Sequence, residues 1–82
     1  MTFEEWQDTR AVTEDFGWAL DAFGSIDDDT SDWQYVIEYD PGVIVRLKNG
    51  QYYTHVVRDE YTGDLETVER HLWEDFASHE VY

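Results

Sequence analysis

The chain has 82 residues, with 20 Asp or Glu against five Lys or Arg and a net charge of −15. That length supports one domain with one modest core, and the absence of Cys excludes disulfides and thiolate metal sites. A field of this sign repels nucleic acid and anionic membranes and draws basic partners from a distance.

The opening segment MTFEEWQD is acidic where a signal peptide requires basic charge, and no apolar run reaches the length of a membrane span. A soluble protein of the cytoplasm is therefore expected. The aromatic content, 17%, argues against a disordered acidic chain.

Thr2-Phe3-Glu4-Glu5 has the form of a capping box, with Thr2 as N-cap and Glu5 reaching back. Val12, Phe16, Ala19, Leu20 and Phe23 then recur at helical spacing, and Gly24 can end the helix. Gly17 weakens its middle, so one bent helix or two short ones are expected. Residues 25–32 read as loop.

Three alternating stretches follow: Trp33, Tyr35, Ile37, Tyr39; then Val43, Val45, Leu47; then Tyr52, Thr54, Val56. Asn49-Gly50 is a strong hairpin signal that pairs Leu47 with Tyr52 and Val45 with Thr54. A three-residue loop at Asp40-Pro41-Gly42 pairs Tyr39 with Val43 and gathers one apolar face for helices to cover; a one-residue slip would reverse that face. On this register Ile44, Arg46, Lys48, Tyr53 and His55 share the other face.

Asp64 is a good N-cap for a last helix with the stripe Leu65, Val68, Leu72, Phe76 and a Glu66–Arg70 pair. The expected fold is α+β over residues 1–82: an N-terminal helix, bent or split, a three-stranded antiparallel sheet and a C-terminal helix, with helices on one sheet face.

The acidic loop partly matches a calcium-binding EF-hand, with Asp27, Asp29 and Ser31 at its first ligand positions and Glu38 at its twelfth. It departs where Asp32 replaces the glycine of the sharp turn, and Glu38 falls in a strand pattern. His71, Asp75 and His79 have a spacing that could hold zinc, but read more simply as surface residues near a frayed end. His55 more simply tempers the charge of Arg46 and Lys48. No nucleophile stands beside a base and no glycine loop cradles phosphate, so catalysis, cofactors and a dedicated metal are not expected.

Two explanations of the acidity remain. A single Lys against four Arg fits a small structural or regulatory domain adapted to high salt. The alternative is a basic partner. The expected topology puts Asp27, Asp28, Asp29 and Asp32 at one end of the sheet, and Asp40, Asp59, Glu60 and Asp64 at the other, about 20 Å away. Glu14, Asp15, Asp21, Glu66, Glu69, Glu74 and Asp75 are expected on exposed helix faces. Trp18 projects opposite its helix's apolar stripe, beside Glu14 and Asp21, as interface anchors do; Trp73 falls at the margin of its own stripe.

In size, acidity, lack of Cys and helix–three-strand–helix order, the whole chain resembles small phage-encoded inhibitors, particularly anti-CRISPR proteins and other DNA mimics. The resemblance is architectural and carries no diagnostic motif. It implies a non-enzymatic inhibitor whose carboxylates block the DNA-reading surface of a nuclease complex, in the cytoplasm of a host cell, with no direct contact to nucleic acid or membrane. The residues nominated by the charge map for a basic nucleic-acid-binding partner are Glu14, Trp18, Asp21, Asp27, Asp28, Asp29, Asp32, Asp59, Glu60 and Asp64.

Overall fold

The computed structural model describes residues 2–23, 30–40, 42–56 and 59–80, the last three without their side chains. Its elements are α1 (Phe3–Gln7), β1 (Ala11–Thr13), α2 (Phe16–Phe23), β2 (Trp33–Glu38), β3 (Val43–Leu47), β4 (Tyr52–Val56), β5 (Asp59–Gly63) and α3 (Leu65–Glu80). The strands form one antiparallel sheet in the order β1-β2-β3-β4-β5. The class is α+β as expected, but the sheet has five strands, not three.

The extra strands are the two edges. The N-terminal helical region is split, and a strand lies in the gap. α1 opens on the expected capping box, Glu5 N–H donating to Thr2 Oγ1 and Thr2 N–H to Glu5 Oε1. Val12, assigned by spacing to the helical stripe, lies in β1 opposite Ile37 and is 68% exposed. α2 starts only after Asp15, whose Oδ1 accepts from Trp18 N–H at 3.1 Å. Gly17 therefore sits in the first turn of a short helix and does not interrupt a long one.

Register is the larger correction. Leu47 N–H donates to the Gln51 carbonyl at 2.8 Å, and Gly50 takes a φ of 93°. This is a three-residue loop with glycine in the left-handed region. Val45 consequently pairs with Tyr53 and Arg46 with Tyr52, one residue away from the expected pairing. At the other hairpin, Tyr39 N–H donates to the Gly42 carbonyl at 2.8 Å and Glu38 pairs with Val43, again one residue off. A bulge between Trp33 and Tyr35 then turns Trp33 to the face opposite Tyr35.

β3 is itself apolar on both sides through Val43, Ile44 and Val45, and helices cover both faces instead of one. α2 packs Phe16, Ala19, Leu20 and Phe23 against Trp33, Val36, Val43 and Val45. On the other face, α1 and α3 bring Phe3, Trp6, Val68 and Leu72 onto Ile37, Tyr39, Ile44 and Val56. Trp6 stacks on Tyr39 with ring centroids 4.3 Å apart, and Trp73 lies half-buried against the cluster, 5.7 Å from Trp6. Arg46 lies over the Tyr52 ring, away from His55, which approaches Phe23. The expected sharing of one face by Arg46 and His55 is lost to the same one-residue slip.

Gly42 tests this packing. Its φ is 118°, and a Cβ there would meet Leu72 Cδ2 at 2.6 Å. Gly42→Ala is expected to cost about 2 kcal/mol or more by urea unfolding, combining positive-φ strain with overpacking. Val12→Ala, on the open edge, should stay within about 0.5 kcal/mol.

Candidate partner-binding surface

The strand order fixes where each carboxylate emerges. Thr13 pairs with Val36, so the chain leaves β1 through Glu14 and Asp15 at the end of the sheet where β2 begins. Asp32 emerges at that end too, its carbonyl accepting from Lys48 N–H at 2.8 Å. Gly63 pairs with Tyr52, so Asp64 leaves β5 there as well. Glu14, Asp32 and Asp64 thus stand across one end of the sheet, spread over four strand spacings, about 19 Å, with Lys48 between them. All three are exposed.

This corrects the expected placement of Asp64, which was grouped with Asp59 and Glu60. β5 carries the chain back along the sheet, leaving Asp59 and Glu60 at the far end and Asp64 at the near one. Asp59 and Glu60 are both exposed but, being consecutive in a strand, point to opposite faces. Glu60 lies on the α2 face, where its Oε1 accepts from Tyr53 OH at 3.4 Å. Asp21 is exposed on α2. Asp27, Asp28 and Asp29 lie outside the described residues.

Two of the exposed carboxylates have a second job. Asp64 Oδ1 accepts from Thr67 N–H at 2.9 Å and caps α3; the Thr67 hydrogen bonds, side chain first, hold its carboxyl below the ordinary range. Glu5, bound by the Thr2 backbone and then its hydroxyl, is lowered likewise. Both caps are therefore at full strength above the ordinary carboxylate range and are lost as pH falls through the lowered values.

Glu69, expected on an exposed helix face, is 2% exposed. Its Oε2 accepts from Tyr39 OH at 2.6 Å and its Oε1 from Gln7 Nε2 at 3.0 Å, tying α3 to β2 and α1. Its position beside Val68, three residues from Leu72 and four from Leu65, gave no signal of this, because its burial depends on where α1 docks.

The metal arrangements considered from sequence do not assemble in the described geometry. β2 separates Ser31 from Glu38 by six or seven residues of extended chain, about 20 Å, too far to share one ion. His71 stacks on Tyr61 with centroids 4.0 Å apart, and the His79 side chain lies outside the described residues. Among the described residues no three His, Asp or Glu side chains converge as metal ligands, and no helix is long and apolar enough to cross a membrane.

A cavity of about 450 Å³ opens beside the far end of the sheet, between α2 and α3. Trp18 and Phe23 from α2, Val56 from β4, Leu72 and Asp75 from α3, and Asp40 from the β2–β3 turn are among its lining. Trp18 is 40% exposed, as its position opposite the helical stripe predicted. Asp40 and Asp75 could not be linked to Trp18 from sequence, since only the docking of two helices on opposite sheet faces brings them together.

No family model matches this chain, and neither the curated proteins nor the solved structures contain a significant match.

Burial, then the Glu69 hydrogen bond, then its charge push the Tyr39 phenol far above its ordinary value. The folded chain keeps this proton where the unfolded chain releases it, so the stabilisation is complete below about pH 10 and declines as pH rises beyond it. Urea unfolding of the wild type should weaken more steeply above pH 10 than that of Tyr39→Phe.

Proposed function

We propose that this protein is a non-enzymatic inhibitor that binds a basic nucleic-acid-binding protein by presenting carboxylates in place of phosphates, with CRISPR effector complexes as the first target class to test. The observation that carries this reading is charge density on a folded frame. The Cα trace is 38 Å long and 21 × 20 Å across, and the net charge is −15. The described residues carry 17 Asp or Glu against four Lys or Arg, a net of −13, and dividing 38 Å by 13 gives one net negative charge per 2.9 Å. That lies between duplex DNA, about 1.7 Å per charge along its axis, and one of its strands, about 3.4 Å.

Placement supports the same reading. Glu14, Asp32 and Asp64 project from one end of a sheet whose both faces are covered, so their spacing is set by backbone hydrogen bonding. Channels that bind nucleic acid are lined with Lys and Arg. Prepositioned carboxylates would satisfy such a channel without the entropy of ordering a strand. Association would be fast and steeply salt-dependent.

Fluorescence anisotropy of a labelled oligonucleotide bound to the effector tests the proposal directly. The wild type should displace the oligonucleotide, and the combined change Glu14→Lys, Asp32→Lys, Asp64→Asn, the last chosen to keep the α3 cap, should weaken displacement about 100-fold at low salt. Reversal of Glu4, Glu66 and Glu74 should weaken it much less. Equal losses would assign the effect to net charge alone, and no displacement by the wild type across nucleic-acid-binding targets would reject the reading.

The aromatic interior also predicts salt-independent folding. Melting followed by circular dichroism should show a cooperative transition in about 0.1 M salt. A chain that folded only in molar salt would instead be a domain adapted to a saline environment.

A further inference from the structure

The cavity between α2 and α3 is not used by the carboxylates across the near end of the sheet, and its lining is mixed in a particular way. Most of the wall is apolar, with Val43, Val56 and Leu72 buried and Phe23 half-buried, and β4 adds Thr54 and His55 to it. The outer part carries an indole with 40% of its surface open, Trp18, and two carboxylates, Asp40 and Asp75. Asp40 is exposed, and Asp59, which pairs with the wall residue Val56, adds a further exposed carboxylate at that end. Apolar depth, an aromatic face and anionic groups at the opening together fit a side chain with an aliphatic stem and a cationic head.

We infer that this cavity receives one arginine side chain of the basic partner, with the stem against Phe23, Val56 and Leu72, and the guanidinium against Trp18 and Asp40. The inference rests on the inhibitor reading for its partner and adds the point at which that partner is gripped. Arginine fits better than lysine because a planar guanidinium stacks on an indole while donating to a carboxylate in its plane, and because it is more weakly hydrated than an ammonium. Its aliphatic stem gains from leaving water along the apolar wall. An ion pair sheltered in a concave site is also screened less by salt than pairs on the open end of the sheet. The cavity would therefore slow dissociation, whereas the exposed carboxylates across the near end would speed encounter.

Titration of the isotopically labelled full chain with Nα-acetyl-arginine methylamide, followed by amide and indole NMR, tests this without knowledge of the target. The Trp18 indole and the Asp40 and Gly42 amides should shift together, with a dissociation constant on the order of 1–10 mM for so small a probe. The citrulline counterpart, equal in shape but uncharged, should produce no saturable shift, and the lysine counterpart should bind several-fold more weakly. Trp18→Leu and Asp40→Asn should each weaken the arginine probe about tenfold, while unchanged melting temperatures show that the fold is intact.

Equal shifts at Asp32, Asp64 and Trp18, or equal binding of lysine and arginine probes, would reduce the effect to general charge attraction and overturn the inference. So would no saturable shift at Trp18. Those results leave oligonucleotide displacement as it was measured, so failure of the cavity and failure of the inhibitor reading are read from different experiments.

Discussion

Val43, Ile44 and Val45 are consecutive and all buried. Because successive side chains of a strand point to opposite faces, this run can be buried only if both faces of the sheet are covered at β3. α2 supplies one cover and α1 with α3 the other. In a chain of 82 residues, two covers use most of the described apolar side chains. The charged side chains are thereby sent to the strand ends, the edge strands and the outer helix surfaces. The display of carboxylates is a consequence of how the centre is filled.

The self-repulsion of so acidic a surface is met locally. Glu5 accepts from Thr2 N–H, Asp15 from Trp18 N–H and Asp64 from Thr67 N–H, each at the start of a helix, where a negative charge is favourable. The Arg70–Glu66 pair at 3.1 Å is exposed and contributes little by itself. Arg46 and Arg70 also sit over the rings of Tyr52 and Phe3, each 4.7 Å from the centroid. Those cations are engaged with aromatic faces, which leaves the acidic exterior largely uncompensated. Glu69 is the exception to outward placement, and its two hydrogen bonds from Tyr39 and Gln7 provide what burial of a carboxyl group requires.

Edge strands were the least legible elements. Ala11–Thr13 offers three residues, two of them exposed, and its Val12 happens to fall at helical spacing from Phe16. Asp59–Gly63 begins with two carboxylates, which suits an edge that must stay open to water but reads as loop. The nominated cluster of Asp59, Glu60 and Asp64 failed for this reason: an unrecognised strand separates its members by the length of the sheet. Register was equally hidden. Where both faces of β3 are apolar, alternation no longer says which neighbour belongs on which side, and hairpin closure at Gly42 and Gly50 decides.

Local chemistry was readable directly: the Thr2–Glu5 capping box, the Asp64 cap, the stripes of α2 and α3, the three inner strands and the outward position of Trp18 all follow from neighbours within one turn or one strand. Net charge and the absence of cysteine needed no structure at all. Only the tertiary arrangement decided which carboxylates share an end of the sheet, that Glu69 turns inward, and that Trp18, Asp40 and Asp75 border one cavity. The reason is physical. Caps and periodicity act over three or four residues, whereas these groupings depend on strand order, on one-residue choices at two turns, and on helices meeting the sheet from opposite sides.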